Sequence, residues 1–183
     1  EIFVYNLTTG KSIKMQTGDE KDQYIPRIKW TKLKGQLCVL RLNRHQNSLD
    51  YLLCDAASGK VTLLMNEKNN TFIEITDNLI FLNNGTQFIY SSDKSGYNQI
   101  YLRNLSDGTE KMLTHGGEVI TFYGYDEKTK SCFYQVAEPT PMERVVYSVD
   151  LNHKKKLLSP ANGTASASFS SNFKYSVITH STI

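Results

Sequence analysis

The hydrophobic residues of this chain either alternate with polar residues or run in blocks of about four to six. Gly, Asn, Asp and Ser separate these segments roughly every ten positions, which is the spacing of turns between short strands. An amphipathic helix would instead place apolar residues three and four positions apart, and we find no convincing segment of that kind. The pattern therefore predicts an all-β protein built from short strands and tight turns.

A short motif, an apolar strand that ends in Asn or Asp, occurs four times along the chain. The four strands end at Asn6, Asp55, Asn104 and Asp150, so the copies lie 49, 49 and 46 positions apart. In the first three copies the turn closes on Gly10, Gly59 and Gly108, whereas the fourth copy has Asn152-His153 instead of the glycine. An Asx side chain can bond the backbone ahead of it, and glycine accepts the positive φ that such turns need. Each copy therefore predicts a hairpin that leads into a second strand.

A second hairpin precedes each of the last three copies, and a last one stands alone near the end of the chain. The first strands of these hairpins contain Ile28–Trp30, Leu79–Phe81, Phe122–Tyr125 and Ala165–Phe169. One repeat thus contains four antiparallel strands, which is typical of a β-propeller blade. A single blade leaves both of its faces uncovered, and stacking blades around an axis buries them. Solenoid repeats are the alternative, but they rarely use four antiparallel strands in each unit.

The repeat divides the chain into unequal parts of one propeller domain, residues 1–183. We expect two outer strands in 2–15, full blades in 24–65, 74–114 and 118–158, and two inner strands in 165–180. This makes three full blades plus two half blades, or about four blade equivalents. Because four blades are the lower limit for a closed propeller, the chain is expected to be a partial β-propeller, an arc of a larger ring.

Composition narrows the possible functions only slightly. The chain has 183 residues, with 39% hydrophobic and 21% charged, and a net charge of +3. These values are ordinary for a globular protein and give no reason to expect a nucleic-acid partner. No apolar stretch approaches 18 residues, so we expect no membrane span in this segment. The chain begins at Glu1 without a leader, which suggests that a leader was removed or that the sequence was cut from a longer protein.

The cysteines and histidines do not suggest a metal or cofactor site. The three cysteines form no C-x-x-C pair, and we expect no cofactor. Cys38 and Cys54 lie on adjacent predicted strands at similar distances from the turn, so a disulfide between them stays open, although buried thiols are commoner. The histidines, which show no metal-ligand spacing, are His45, His115, His153 and His180.

Several segments, in order along nearly the whole chain, are similar to one known family. They are Tyr24–Thr31 (YIPRIKWT), Leu42–Asn47 (LNRHQN), Ser95–Leu102 (SGYNQIYL), Gly117–Val119 with Gly124–Asp126, and Glu138–Tyr147 (EPTPMERVVY). Together they resemble the N-terminal propeller of the dipeptidyl peptidase IV family of serine exopeptidases, and its bacterial members above all.

The resemblance implies an eight-bladed propeller that caps an α/β-hydrolase domain. This chain would begin in the outer strands of the fourth blade and stop inside the eighth. Members of the family release N-terminal dipeptides, or sometimes tripeptides, usually after proline, from substrates that enter a chamber between the two domains. The implied partners of the parent protein are a peptide substrate, the α/β-hydrolase domain and a second copy in a homodimer. The implied location is the periplasm or cell envelope.

The family's catalytic groups do not map onto this chain. No Ser lies in a G-x-S-x-G elbow, and the other triad residues would lie beyond that elbow. The glutamate pair that binds the substrate amine in the family would precede Glu1, and Asp19-Glu20 is expected to be a solvated connection. We therefore assign no catalytic, substrate-binding or metal-binding residue.

A few other side chains can be judged against the resemblance. Trp30 and Phe81 occupy equivalent repeat positions and are expected to pack between blades. Phe72 lies where the family often has a large aromatic residue near the chamber, so a substrate contact there stays open. Glu143 and Arg144 are expected to pair locally.

The expected function is the non-catalytic propeller portion of such a peptidase, which would shape and gate the substrate chamber. Whether the chain itself counts as an enzyme is therefore uncertain. One alternative is a stand-alone propeller that binds a protein or a glycan, because one fold hosts many functions. A related oligopeptidase with a seven-bladed propeller is a third possibility, and the segments quoted above weigh against it.

Overall fold

The computed structural model describes residues 1–182, and these residues form β-strands and no helix. The strands are β1 Phe3–Tyr5, β2 Ser12–Lys14, β3 Gln23–Trp30, β4 Gln36–Asn43, β5 Ser48–Asp55, β6 Val61–Lys68, β7 Leu79–Phe81, β8 Gln87–Ser92, β9 Gln99–Asn104, β10 Glu110–Met112, β11 Val119–Asp126, β12 Ser131–Val136, β13 Val145–Asp150, β14 Lys155–Leu157, β15 Thr164–Phe169 and β16 Ser176–Ser181. A helix of the length and hydropathy needed to cross a bilayer is absent from this part of the chain.

The strands pair into five antiparallel sheets, each built from consecutive strands. Three sheets have four strands, in the orders β3-β4-β5-β6, β7-β8-β9-β10 and β11-β12-β13-β14. Two sheets have only two strands, β1-β2 and β15-β16. The all-β class and the four-stranded antiparallel units predicted from the sequence are thus confirmed. The chain separates into two compact units, which meet in sequence between Asp77 and Asn78.

The Asx-initiated turns form as the repeat predicts. The Asn6 Oδ1 atom accepts hydrogen bonds from the backbone N–H groups of Thr8 and Thr9, at 2.9 and 3.0 Å. The Asp55 carboxylate does the same for Ala57 and Ser58. Hydrogen bonds from Ser58, first through its side chain and then through its backbone, lower the pKa of Asp55. The repeated Asn or Asp therefore serves a structural purpose.

The core of the first unit lies where the β1-β2 sheet packs on one face of the β3–β6 sheet. Its buried residues are Met15, Leu37, Val39, Leu52 and Cys54. The packing reaches the start of the innermost strand, β3, at Ile25 but not its end, where Ile28 is 50% exposed and Trp30 is 58% exposed. The expectation that Trp30 packs between blades is therefore wrong for this chain, although Phe81 is buried. The physical reason is that β1-β2 has two strands instead of four.

The core of the second unit lies between two complete sheets. Side chains from β8 and β9, including Ile89 and Ile100, pack with Cys132, Tyr134 and Val145 from the β11–β14 sheet. The strand β15 then lies beside β12 and β13, and its Ala165 is fully buried. Each four-stranded sheet of this unit thus contributes a nearly continuous apolar face.

Candidate functional site

A small cleft of about 180 Å³, lined mostly by residues with polar side chains, opens in the first unit. It lies beside the start of β3 and the hairpin that joins β4 to β5. The side chains that line it are Glu20, Gln23, Arg41, Leu42, Asn43, Ser48 and Asp50. No sequence motif predicts this cleft, because its residues come from three separate segments.

A charged network fixes one wall of the cleft. The Arg41 guanidinium donates to the Asp50 Oδ2 atom through Nη2 at 2.7 Å and Nε at 3.1 Å, and to the Thr17 carbonyl through Nη1 at 2.5 Å. The Asn66 Nδ2 atom donates to both Asp50 Oδ1 and Ser48 Oγ. Gly18 allows this arrangement, because a Cβ at that position would lie 2.7 Å from the Arg41 Nη1 atom. These bonds satisfy the ion pair within the protein, so we read the wall as structural.

Two side chains that line the cleft, Gln23 and Glu20, accept fewer hydrogen bonds than Asp50 does. The Gln23 Oε1 atom is buried and has no hydrogen-bond partner. Glu20 accepts one hydrogen bond, at 3.0 Å from the Asp22 backbone N–H, and is otherwise exposed, as expected for a solvated connection. Amide and carboxylate oxygens of this kind can accept hydrogen bonds from a polar group, but the side chains that line the cleft include no nucleophile held by a general base.

The thiols are buried and poorly suited to nucleophilic chemistry. Burial raises the pKa of Cys38 and Cys132 to about 12 and that of Cys54 to about 11. The reactive thiolate is therefore scarce at neutral pH. Cys38 and Cys54 are both free, which answers the question that the sequence left open. Cys38 lies opposite Leu53 and Cys54 lies opposite Leu37, so the two thiols point to opposite faces of the sheet.

The second unit contains another satisfied polar cluster, centred on Glu110. This carboxylate accepts hydrogen bonds from the Lys94 ammonium group and from the Tyr90 hydroxyl, and Arg103 lies 3.4 Å away. Burial acts to raise the pKa of Glu110, but the bonds from Lys94 and Tyr90 outweigh it and lower the pKa. The Lys94 ammonium also lies 4.2 Å from the centre of the Tyr101 ring. The cluster joins β8, β9 and β10 and has the character of a structural clamp.

The structure brings together two histidines that show no metal-ligand spacing in the sequence. The ring centres of His115 and His153 are 5.7 Å apart. His180 lies elsewhere, with its Nε2 atom 2.6 Å from the Asn162 carbonyl oxygen. Only the replacement of the turn glycine in the fourth repeat copy pointed to His153, and no sequence signal linked it to His115.

The remaining side chains singled out from the sequence have local roles or stay untested. The Arg144 guanidinium donates to the carbonyls of Pro141 and Glu143, while the Glu143 carboxylate accepts from Thr140 and Gly163. The expected pairing between the two side chains is thus replaced by hydrogen bonds to nearby backbone and Thr140. Phe72 is half exposed, and its suggested contact with a substrate stays a prediction.

Comparisons with known proteins identify the family. All of residues 1–183 match the model of the dipeptidyl peptidase IV (DPP IV) N-terminal region. The crystal structure of Porphyromonas gingivalis dipeptidyl peptidase 4 superposes with a TM-score of 0.88 at 32% identity, over 98% of this chain and 26% of that one. Dipeptidyl peptidase family member 1 of Caenorhabditis elegans is 27% identical over 145 residues, and inactive dipeptidyl peptidase 10 of Mus musculus is 24% identical over 139 residues.

These alignments cover 70% of this chain but only 18% of the nematode protein and 17% of the mouse protein. The chain thus spans less than a fifth of the length of these curated relatives. The match to the family model over the full sequence and the structural similarity nevertheless agree with the segments that first suggested the relationship. The chain belongs to the family of dipeptidyl peptidase IV N-terminal regions.

Proposed function

We propose that this chain is the non-catalytic propeller portion of a serine exopeptidase that releases N-terminal dipeptides, or tripeptides, after proline. The single observation that supports this most strongly is the match of all 183 residues to the dipeptidyl peptidase IV N-terminal region. In the parent enzyme a serine outside this sequence would attack the peptide carbonyl, with a histidine as its base.

The chain's own contribution would be to the wall of the substrate chamber. Four-stranded sheets with apolar faces suit this task, because they can stack into a stiff wall around an opening. An extended peptide would pass through that opening, whereas a folded protein would be excluded. The exposed apolar side chains of Ile28 and Trp30 support an arc within a larger ring, since a further two strands beside β1 would cover them. The proposal therefore includes an eight-bladed propeller in the parent protein, of which this chain is a part.

The proposal is tested with the full-length protein. We expect it to cleave Gly-Pro-p-nitroanilide and to release dipeptides from an unfolded peptide with proline at the second position. We expect no cleavage of the same peptide sequence when it is held inside a folded domain. A correctly folded protein that leaves Gly-Pro-p-nitroanilide intact would refute the peptidase assignment, and cleavage of the folded substrate would refute the gating role.

A stand-alone binding module is the second candidate. The similarity to the mouse protein named inactive dipeptidyl peptidase 10 supports a role without catalysis. The two candidates differ in the part of the gene downstream of residue 183. A G-x-S-x-G elbow within hydrolase-like strands supports the peptidase, whereas a stop codon soon after residue 183 supports the binding module.

The partners and location belong to the same proposal. The parent protein would contain an α/β-hydrolase domain in the same chain, form a homodimer, and reside in the periplasm or cell envelope. Sedimentation of the full-length protein tests the dimer, and fractionation of the host cells tests the location. A monomer would contradict the proposed homodimer, and a cytosolic protein would contradict the proposed location.

A further inference from the structure

Two exposed imidazoles lie close together on the surface of the second unit. His115 lies just after β10, and His153 lies in the turn between β13 and β14. Their ring centres are 5.7 Å apart and their planes are inclined by 34°. Consecutive four-stranded sheets thus each contribute one imidazole to the same place.

The backbone holds both histidines firmly. Thr114, beside His115, is only 2% exposed; its hydroxyl accepts a hydrogen bond from the Ile100 N–H and donates to Gln99 Oε1. The turn that carries His153 is tied to β10, because the Lys111 ammonium donates to the Leu151 carbonyl at 2.7 Å. The two rings therefore meet at an anchored junction.

His153 adopts a conformation that the other repeat copies give to glycine. Its φ is 65°, close to the values of 68°, 74° and 69° at Gly10, Gly59 and Gly108. A side chain with a Cβ is strained in this region, and strained residues concentrate at functional sites. A histidine in place of the repeat's glycine therefore suggests that the imidazole itself has a use.

The spacing suits two imidazoles that share one metal ion. With a Zn–N bond of about 2.0 Å, each ring centre lies about 3.2 Å from zinc, and two rings at the tetrahedral angle are roughly 5 Å apart. The observed separation needs only a small adjustment of the exposed rings to reach that value. Neutral imidazole is also the commonest nitrogen ligand of such metals in proteins.

We propose that His115 and His153 form a surface site for a divalent transition-metal ion of the zinc class, with water in the remaining coordination positions. The ion would bridge the β7–β10 sheet and the β11–β14 sheet and stabilise their junction. This inference does not depend on the peptidase proposal.

The test is zinc binding by the full-length protein, measured by isothermal titration calorimetry and by the thermal unfolding midpoint with zinc chloride. Wild type should bind zinc and gain thermal stability, whereas magnesium chloride should give no gain. The variants His115→Gln and His153→Gly should each weaken binding at this site roughly tenfold or more, since each loses one of two protein ligands. His45→Gln, at an exposed histidine on the β4-β5 turn, is the matched control and should bind zinc as wild type does.

A second readout guards against misfolded variants. Without metal, His153→Gly should unfold at a higher temperature than wild type, because glycine relieves the positive φ. If this variant is more stable than wild type without zinc but gains no thermal stability when zinc is added, the result supports the site. Damage to the fold would instead lower the stability without zinc. Failure of wild type to bind zinc, or unchanged zinc binding in both the His115 and His153 variants, would overturn the proposal.

Discussion

The two units of the chain bury equivalent positions to very different extents. Trp30 lies at the end of the innermost strand β3 and is paired with Leu37 on β4. Tyr125 lies near the end of the innermost strand β11 and is paired with Cys132 on β12. Tyr125 is 9% exposed and belongs to the core of the second unit, while Trp30 is 58% exposed. Both are large aromatic residues on the same repeat position.

The difference comes from the neighbouring sheet. Within the second unit, the β11–β14 sheet packs against a sheet of four strands, so its apolar face is covered as far as the innermost strand. Within the first unit, the β3–β6 sheet packs against β1-β2, which covers β4, β5 and the start of β3 at Ile25 but leaves the end of β3 exposed. The burial of a repeat residue is therefore decided by how many strands face it.

The largest expected effect separates these two aromatics. In chain 1–183, Tyr125→Ala should lower the free energy of unfolding by about 3–5 kcal/mol, because it empties a covered core position. Trp30→Ala in the same chain should cost about 1 kcal/mol or less, since the side chain is already largely in water. Urea unfolding of both variants measures the difference, and equal losses would contradict the comparison.

A smaller effect tests how tightly the two-stranded sheet packs on its neighbour. The Gly59 backbone carbonyl accepts a hydrogen bond from the Gln16 N–H, and a Cβ on Gly59 would overlap the Lys14 carbonyl oxygen. Gly59→Ala should therefore cost about 2–4 kcal/mol, from the clash together with the positive φ.

Gly35→Ala is the matched control for that substitution. Gly35 has a φ of 71°, but a Cβ there would have no atom within 4 Å. The Gly35→Ala variant should lose only about 1 kcal/mol of its free energy of unfolding, because of backbone strain, as measured by urea unfolding. If both glycine variants lost the same amount, β1-β2 would not be held closely against the β5-β6 turn.

The clamp around Glu110 should give the second unit an acid-sensitive contribution to stability. The pKa of Glu110 is lower in the folded state than in the unfolded chain. The ionised carboxylate therefore raises the free energy of unfolding when the pH is above the ordinary glutamate pKa. That gain is lost as the pH falls through the lowered pKa of the folded state.

The variant Glu110→Gln tests this pH dependence. It should cost about 1–2 kcal/mol at neutral pH, because the carboxylate's charged hydrogen bonds are lost. The difference from wild type should shrink as the pH falls below about 4, in unfolding curves measured from about pH 3 to 7. A difference that stayed constant with pH would show that Glu110 acts through packing alone.

The smallest effect concerns Trp30 itself, which is the chain's single tryptophan. Its fluorescence in folded chain 1–183 should be quenched by iodide nearly as strongly as in the unfolded chain, because the indole is largely exposed. The ratio of the two quenching constants, folded to unfolded, measures this. Strong protection in the folded state would mean that another surface covers the innermost strand.

The sequence by itself determined the all-β class, the repeat of four antiparallel strands and the chemistry of the turns. These features are local: alternation sets which residues face a core, while Asx and glycine residues fix each hairpin. The family could also be named from ordered segments, because they spread over the chain in the order of the repeats.

Tertiary structure alone decided which apolar faces are covered, where the cleft opens and which side chains meet. The sequence placed Cys38 and Cys54 at similar distances from a turn, but a register offset of one residue puts them on opposite faces of the sheet. It treated His115 and His153 as separate, although the junction of two sheets places their rings side by side. The physical reason is that such contacts depend on register and on the stacking of sheets, which join residues far apart in the chain.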